Sequence, residues 1–279
     1  MDESADSAGP RRLCALATDL SARLPSDTNR QNLEKQMAEE ISISAATWQL
    51  LSQPSTATLT TVLAKHGLWN TFITGAKPLA PELSMVGQAF TLRYIPSRED
   101  VDYNLTFDNR TDPQRVAVER VGPRDVLVID ARGDERAGTM GNILATRVLA
   151  RGAAGIVTDG CFRDSPAIAQ MKIPAYARSP HAATNKTIHH ATDLLVPIGC
   201  GGVAVYPGDV LVGDAEGVIV IPRSLATEVA REAAAQEHRE EFILQKILGG
   251  AGLVGTYPLD EATAAEYEEY CKTHPRPGE

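Results

Sequence analysis

The segment Gly141 to Asp164, GNILATRVLARGAAGIVTDGCFRD, constrains the fold most, because it reads as a helix followed by a buried strand with a charged pair just beyond. Asn142 is a good helix N-cap, Ile143 to Arg151 carries apolar residues at helical spacing, and Gly152 stands where a left-handed C-cap belongs. Ala153 to Thr158 has the pattern of a short buried strand and runs into an Asp159-Gly160 turn. A chain that goes helix then strand reverses direction, so Arg163-Asp164 is expected back at the level of the helix start.

That convergence would make one site from three kinds of group. Free backbone amides and the positive end of a helix favour an anion. Arg163 can grip a carboxylate through two parallel hydrogen bonds, and Asp164 can hold a hard divalent cation such as magnesium. Each residue also has a plainer reading. Asn142 serves as a cap whatever else it does, and an Arg-Asp pair standing alone is usually a surface ion pair of little energetic weight. The combination favours a site for an anionic substrate bound with a cation.

These residues resemble the RraA-like family, which includes class II pyruvate aldolases that cleave 4-hydroxy-4-methyl-2-oxoglutarate. The family carries Gly-Asp, twenty residues, then Arg-Asp, in surroundings similar to Leu144-Ala145, Arg151-Gly152 and Asp159-Gly160-x-x-Arg163-Asp164. The resemblance runs from about Ser55 to Ser224, taking in STATLTTVL and PIGCGGVAVYPGDVLVGDAEGVIVIP. It implies an α/β chain with a β/β/α swivelling-type sandwich, a homotrimer or homohexamer, and an active site at a subunit boundary. It further implies Arg163, Asn142 and Asp164 as catalytic positions and Gly141, Asn142, Ile143, Leu144 and Arg163 as substrate-binding positions. Asp164 would hold Mg2+ or Mn2+, with Asp214 and Glu216 of a neighbouring subunit in support.

The departure from the family is Asn142, which stands where the aldolases place an Asp. An amide cannot ionise, so it cannot carry a proton. Either another group or metal-bound water moves the proton in a retro-aldol cleavage, or the reaction needs none there, as in decarboxylation of an oxaloacetate-like acid, which needs chiefly electron withdrawal as the enolate forms. The expected function is therefore a metal-dependent lyase on a small 2-oxo acid. The alternatives are a non-catalytic binding protein of the kind that gives the family its name, and a dehydratase of a sugar-derived 2-oxo acid.

The chain's formal net charge of -9, with a pI near 5.2 and no basic stripe, argues against nucleic acid as a partner. No run of eighteen apolar residues exists, and the first residues, MDESADSAGPRR, are polar and acidic where a signal peptide would be basic then apolar; cytoplasmic residence without a membrane role is the expectation. Cys14, Cys161, Cys200 and Cys271 lie far apart, without a CxxC pair, so neither a zinc site nor a disulfide framework is suggested. His189 and His190 are adjacent and point apart in helix or strand, which makes them poor joint ligands.

Residues 1–45 read as an N-terminal extension, 46–248 as the α/β domain and 249–279 as a C-terminal tail with a short helix from Leu259 to Tyr270. Helices are expected from Ser55 to Gly67, closing over Val116 to Val121, and from a Ser224 cap to about Leu248; strands from Ser84 to Pro96 and Val218 to Ile221. Arg93, Tyr94 and Arg98-Glu99-Asp100 could read the far end of a substrate, and Gly199 to Gly202 is either a ligand approach or a tight turn. An internal echo stands out: Pro123 to Gly133 matches Pro207 to Gly217 at eight of eleven positions, which suggests two similarly placed strands in one sheet.

Overall fold

In the computed structural model, residues 43–102 and 108–277 are described. The expected N-terminal extension, apart from its last residues, and Cys14 lie outside them. Among the described residues, thirteen strands form three sheets. The main sheet contains β1 (Lys77–Pro78), β2 (Met85–Pro96), β3 (Asp125–Asp130), β5 (Gly155–Thr158), β7 (Ala175–Ala177), β9 (His189–Leu194), β12 (Val210–Gly213) and β13 (Val218–Ile221), in the order β1-β7-β5-β3-β2-β12-β13 with β9 also on β2. A second sheet is β4 (Gly138–Met140), β6 (Cys161–Phe162) and β8 (Ser179–Pro180), and a hairpin pairs β10 (Ile198–Cys200) with β11 (Val203–Val205). The helices are α1 (Ala45–Leu51), α2 (Thr56–Lys65), α3 (Glu99–Asp102), α4 (Pro113–Arg120), α5 (Asn142–Ala150), α6 (Ser165–Ala169), α7 (Ala226–Leu248) and α8 (Glu261–Thr273). This is the mixed α/β, β/β/α swivelling-type arrangement that the resemblance implies, with added helices toward the C-terminus.

Strand β2 is long enough to be shared. Its first half pairs antiparallel with β12, its second half antiparallel with β9, and its other edge parallel with β3. The two echoed segments thus flank β2 on opposite sides, in one sheet as expected. The likeness extends to their turns: Asp125 accepts from the Gly122 amide at 2.8 Å and Asp209 from the Tyr206 amide at 2.8 Å. Burial pushes both carboxyls up, the amide bonds pulling the other way.

Strand β3 reads VLVI because both faces of the sheet are covered. Leu127 and Ile129 join one core with α4 and α5, while Val126 and Val128 join another under the β10-β11 hairpin. A third core lies beneath α1, α2 and α7, where Val210, Val212, Ile219 and Ile221 meet Leu59, Leu63, Val229 and Ala233. The alternation of β12 and β13 between two cores requires period two, as their sequences have.

Local signals explain several boundaries. Ser55 caps α2 by accepting from the Thr58 amide at 3.1 Å, and Asp112 caps α4. Ser224 does not cap α7: a 3-10 turn over Arg223–Leu225 intervenes, and the cap position falls on Leu225 without a side-chain bond. The helix of the tail starts at Glu261, capped by Asp260, and Tyr267 packs with Phe242 and Ile243 of α7. Gly201 and Gly202 form the turn of the β10-β11 hairpin, so the tight-turn reading of that segment holds. No helix among the described residues is long and apolar enough to cross a membrane.

Candidate active-site cleft

The second sheet creates the site. Strands β4 and β6 are parallel neighbours, with Gly138 opposite Cys161 and Met140 opposite Phe162. Their C-terminal ends therefore emerge side by side, one leading into α5 and the other into Arg163-Asp164. The Arg163 amide donates to the Met140 carbonyl at 2.9 Å and continues the pairing one residue further. The expected convergence occurs, but through β6 and not through β5, which ends at Thr158 in the other sheet.

Two glycines make the contact possible. A Cβ on Gly138 would lie 2.4 Å from Arg163 Cγ and 2.7 Å from its backbone nitrogen; one on Gly141 would lie 2.7 Å from Asp164 Oδ2. Gly141, not Asn142, is the N-cap of α5, and no side chain within the helix caps it. Asn142 is the first helical residue, and its amide donates to Asp164 Oδ2 at 3.3 Å. The anion at this helix end is thus Asp164 itself, an arrangement the helix dipole favours. Asp164 is held at φ 55, ψ 30, a left-handed conformation that Asp tolerates better than most residues, and its carbonyl accepts from the Ala167 amide as α6 begins.

A cleft of about 210 Å3 opens over this junction. Gly141, Asn142, Ile143, Leu144, Arg163 and Asp164, all expected at the site, line it together. Arg163 is half-buried and lines the cleft, with its Nε sealed beneath the surface and without a hydrogen-bond partner. Arg115 also lines the cleft, so two arginines and one carboxylate border it in a chain whose net charge is -9. An anionic ligand is the electrostatic match.

The opposite wall was not legible in the sequence. Gln114, Thr184 and Asn185 complete it. Asn185 Nδ2 donates to Gln114 Oε1 at 3.1 Å, and Gln114 Nε2 and the Tyr94 hydroxyl both donate to the Thr139 carbonyl, at 2.5 and 3.2 Å. Gln114 is 1% exposed, so this amide pair fixes the wall behind β4. Neutral amides at distant positions carry no spacing signal that would have singled them out.

The remaining candidates lie elsewhere in the single chain. Arg93 pairs with Asp193, Arg98 with Asp100, and Tyr94 is buried behind the cleft wall. His189 is buried and stacked on Tyr94, with burial pushing its pKa down, while His190 faces Asp102 at 2.7 Å. Cys161 is buried against Ser179, and burial raises its thiol. Asp214 caps α2 through the Thr56 amide at 2.8 Å and hydroxyl at 2.9 Å, and neither it nor the exposed Glu216 lines the cleft.

The sequence profile of the RraA-like family, described as Aldolase/RraA, matches residues 56–220. The chain belongs to this family. The matched span holds β1 to β12, most of β13 and every cleft-lining residue. A relative from Halalkalibacterium halodurans, named "Putative 4-hydroxy-4-methyl-2-oxoglutarate aldolase", is 37% identical over 136 residues, 47% of this chain and 64% of its own length. The chain thus spans less than two thirds of that relative. Among solved structures, an uncharacterized Pseudomonas syringae protein superposes with a TM-score of 0.67 at 27% identity, over 77% of this chain and 98% of its own. Streptomyces coelicolor RraAS2, described as an unusual member of the RNase ES inhibitor RraA family, gives 0.66 at 30%, over 74% of this chain and all of its own.

Proposed function

We propose that this protein is a divalent-metal-dependent lyase of small 2-oxo acids, and that it favours decarboxylation of an oxaloacetate-like substrate over retro-aldol cleavage. The observation that carries the reading is the composition of the cleft wall. Among the described residues that line it there is no histidine, cysteine, tyrosine or lysine, and no carboxylate other than Asp164.

Retro-aldol cleavage requires a base to take the proton from the substrate's hydroxyl. Asn142 occupies the position where the resemblance places that group, and its amide can only donate and accept hydrogen bonds. Decarboxylation releases CO2 and passes the electron pair to the 2-oxo group without such a base, and the enolate then takes a proton from water at carbon to give pyruvate. The Arg163 guanidinium, which lines the cleft, would meet the substrate carboxylate and the developing oxyanion. Arg115 adds positive charge across the cleft.

Asp164 fits a magnesium or manganese ion. Its carboxylate is at the cleft surface, with one oxygen engaged by a single amide at 3.3 Å, and such ions keep most of their waters and need only one or two carboxylates. When bound, the cation would withdraw electrons from the 2-oxo group. Asp214 is committed to capping α2, which leaves exposed Glu216 as the acidic group a neighbouring subunit of a trimer or hexamer would bring.

The test is pyruvate release from oxaloacetate with Mg2+ or Mn2+, compared with metal alone and with Asp164→Ala. Turnover no faster than the metal-only background, identical in the variant, overturns the proposal. The likeness to RraAS2 over that protein's whole length supports a second reading, a regulatory binding protein that does no chemistry. Thermal melting separates the two: magnesium with oxalate, an enolate mimic, raises the midpoint of a working site and leaves a binding module unmoved.

A further inference from the structure

We propose a second metal site, distinct from the cleft, in which His66, Glu228 and Glu232 bind a zinc-class divalent ion and staple α2 to α7. Among the described residues these three form the one group of His, Cys, Asp and Glu side chains close enough to share an ion, with one ligand atom from each lying within 4.8 Å of the others.

The geometry is prearranged on two packed helices. His66 is the C-cap of α2, its backbone amide bonded to Leu63 and Ala64 carbonyls, so the ring leaves from a fixed point. Glu228 and Glu232 lie one turn apart in the first two turns of α7 and project to the same side. His66 Nε2 and Glu232 Oε2 are already 3.2 Å apart, close to the spacing of about 3.4 Å that two ligands adopt around a tetrahedral ion with bonds near 2.1 Å. Glu228 is exposed and needs to close by about 1 Å, which a side-chain rotation provides. A fourth position stays open to water.

Charge points the same way. Two carboxylates one turn apart on a helix repel, and a cation between them turns that repulsion into attraction. The ion would also stand at the C-terminal end of α2, where the helix dipole favours positive charge. The nearest basic side chain in sequence, Lys65, is directed to Gln236 Oε1 at 2.8 Å. One imidazole nitrogen with two carboxylates selects zinc, cobalt or nickel over magnesium and calcium, which prefer oxygen alone.

Zinc titration of the full chain by calorimetry, with thermal melting, tests this. One equivalent is expected, with a raised melting midpoint, retained in Asp164→Ala and weakened at least tenfold in Glu228→Gln and in His66→Gln. Cobalt loading should give visible absorption of nitrogen and oxygen ligation without a thiolate charge-transfer band. Glu228→Gln alters an exposed side chain on a long helix, so loss of folding does not confuse the result. Zinc bound with unchanged affinity in both variants, a thiolate band, or no rise in midpoint with zinc overturns the proposal. None of these outcomes bears on oxaloacetate turnover, so this site and the cleft are judged separately.

Discussion

The cleft and the His66 cluster both gather charge at a helix end, and they do so by opposite means. In the cleft, backbone pairing of β4 with β6 brings Arg163 and Asp164 to the start of α5, and two glycines let them lie against the chain. In the cluster, side-chain packing of α2 on α7 brings His66 to Glu228 and Glu232. The first is rigid because its partners are main-chain atoms; the second depends on side-chain positions, with Glu228 exposed and free to rotate toward half-buried His66 and Glu232. Rigid placement suits transition-state stabilisation, which loses much from small displacements. A flexible trio suits an ion, which draws its ligands in.

The sharpest break in this comparison comes from Arg163→Lys. Lysine keeps the charge but loses the planar fork that Arg163 brings to the cleft. Oxaloacetate turnover should fall by about 10²- to 10³-fold, the range for removing a preorganised donor. The melting midpoint and the zinc response of the cluster should stay near wild type. Steady-state kinetics within threefold of wild type would remove Arg163 from the anion-binding role.

Gly141→Ala probes rigidity alone. The backbone there, at φ -115 and ψ -176, suits alanine, so the penalty arises from the new Cβ set 2.7 Å from Asp164 Oδ2. Displacing the carboxylate should lower turnover about 30-fold and weaken the magnesium response, for about 1 kcal/mol of stability. Urea unfolding beside kinetics separates the two effects. Equal activity would mean that Asp164 has room to move, and the contrast with the flexible cluster would fail.

Asn142→Asp tests the chemistry that distinguishes this cleft from its relatives' aldolase reading. A carboxylate at the first helical position restores an ionisable group beside Asp164. Cleavage of a 4-hydroxy-2-oxo acid should rise about 10²-fold relative to decarboxylation, the low end for general-base assistance. An unchanged ratio of the two rates would show that position 142 does not carry the proton.

How much of this was legible in the sequence follows the same division. The Arg163-Asp164 pair, the start of α5 and the echo around β3 and β12 were readable because local spacing or repetition encodes them. The route of convergence was not, since two-residue β6 is too short to show periodicity and belongs to a separate sheet. Asn142 reads as a cap because Asn favours that position, yet the structure gives the cap to Gly141, where any side chain would press on Asp164. The Gln114-Asn185 wall and the His66 cluster are pairings of residues 71 or more than 160 positions apart, which only packing reveals.

The smallest expected effect concerns a charge that neither site uses. Asp134 lies in the loop between β3 and β4, hydrogen-bonded by the Arg136 guanidinium, which holds its carboxyl down at about 2. A lowered folded pKa means stability that is present above the ordinary carboxylate value of about 4 and is lost as pH falls from there toward 2. Arg136 is 71% exposed, so solvent screening limits the contribution to about 1 kcal/mol or less. Half-buried Asp125 and buried Asp130 and Asp209 act with the opposite sign: desolvation raises their carboxyls, so their contribution is full at low pH and fades as pH rises through the raised values. Asp134→Asn should therefore flatten the acid limb of a melting-midpoint profile between pH 4 and 2 while changing neither turnover nor zinc binding at pH 7. A profile that keeps its full acid slope would assign acid sensitivity to other carboxylates. A loss of turnover would instead tie this loop to the cleft through β4, and the rigidity attributed to strand pairing would then extend back to Asp134.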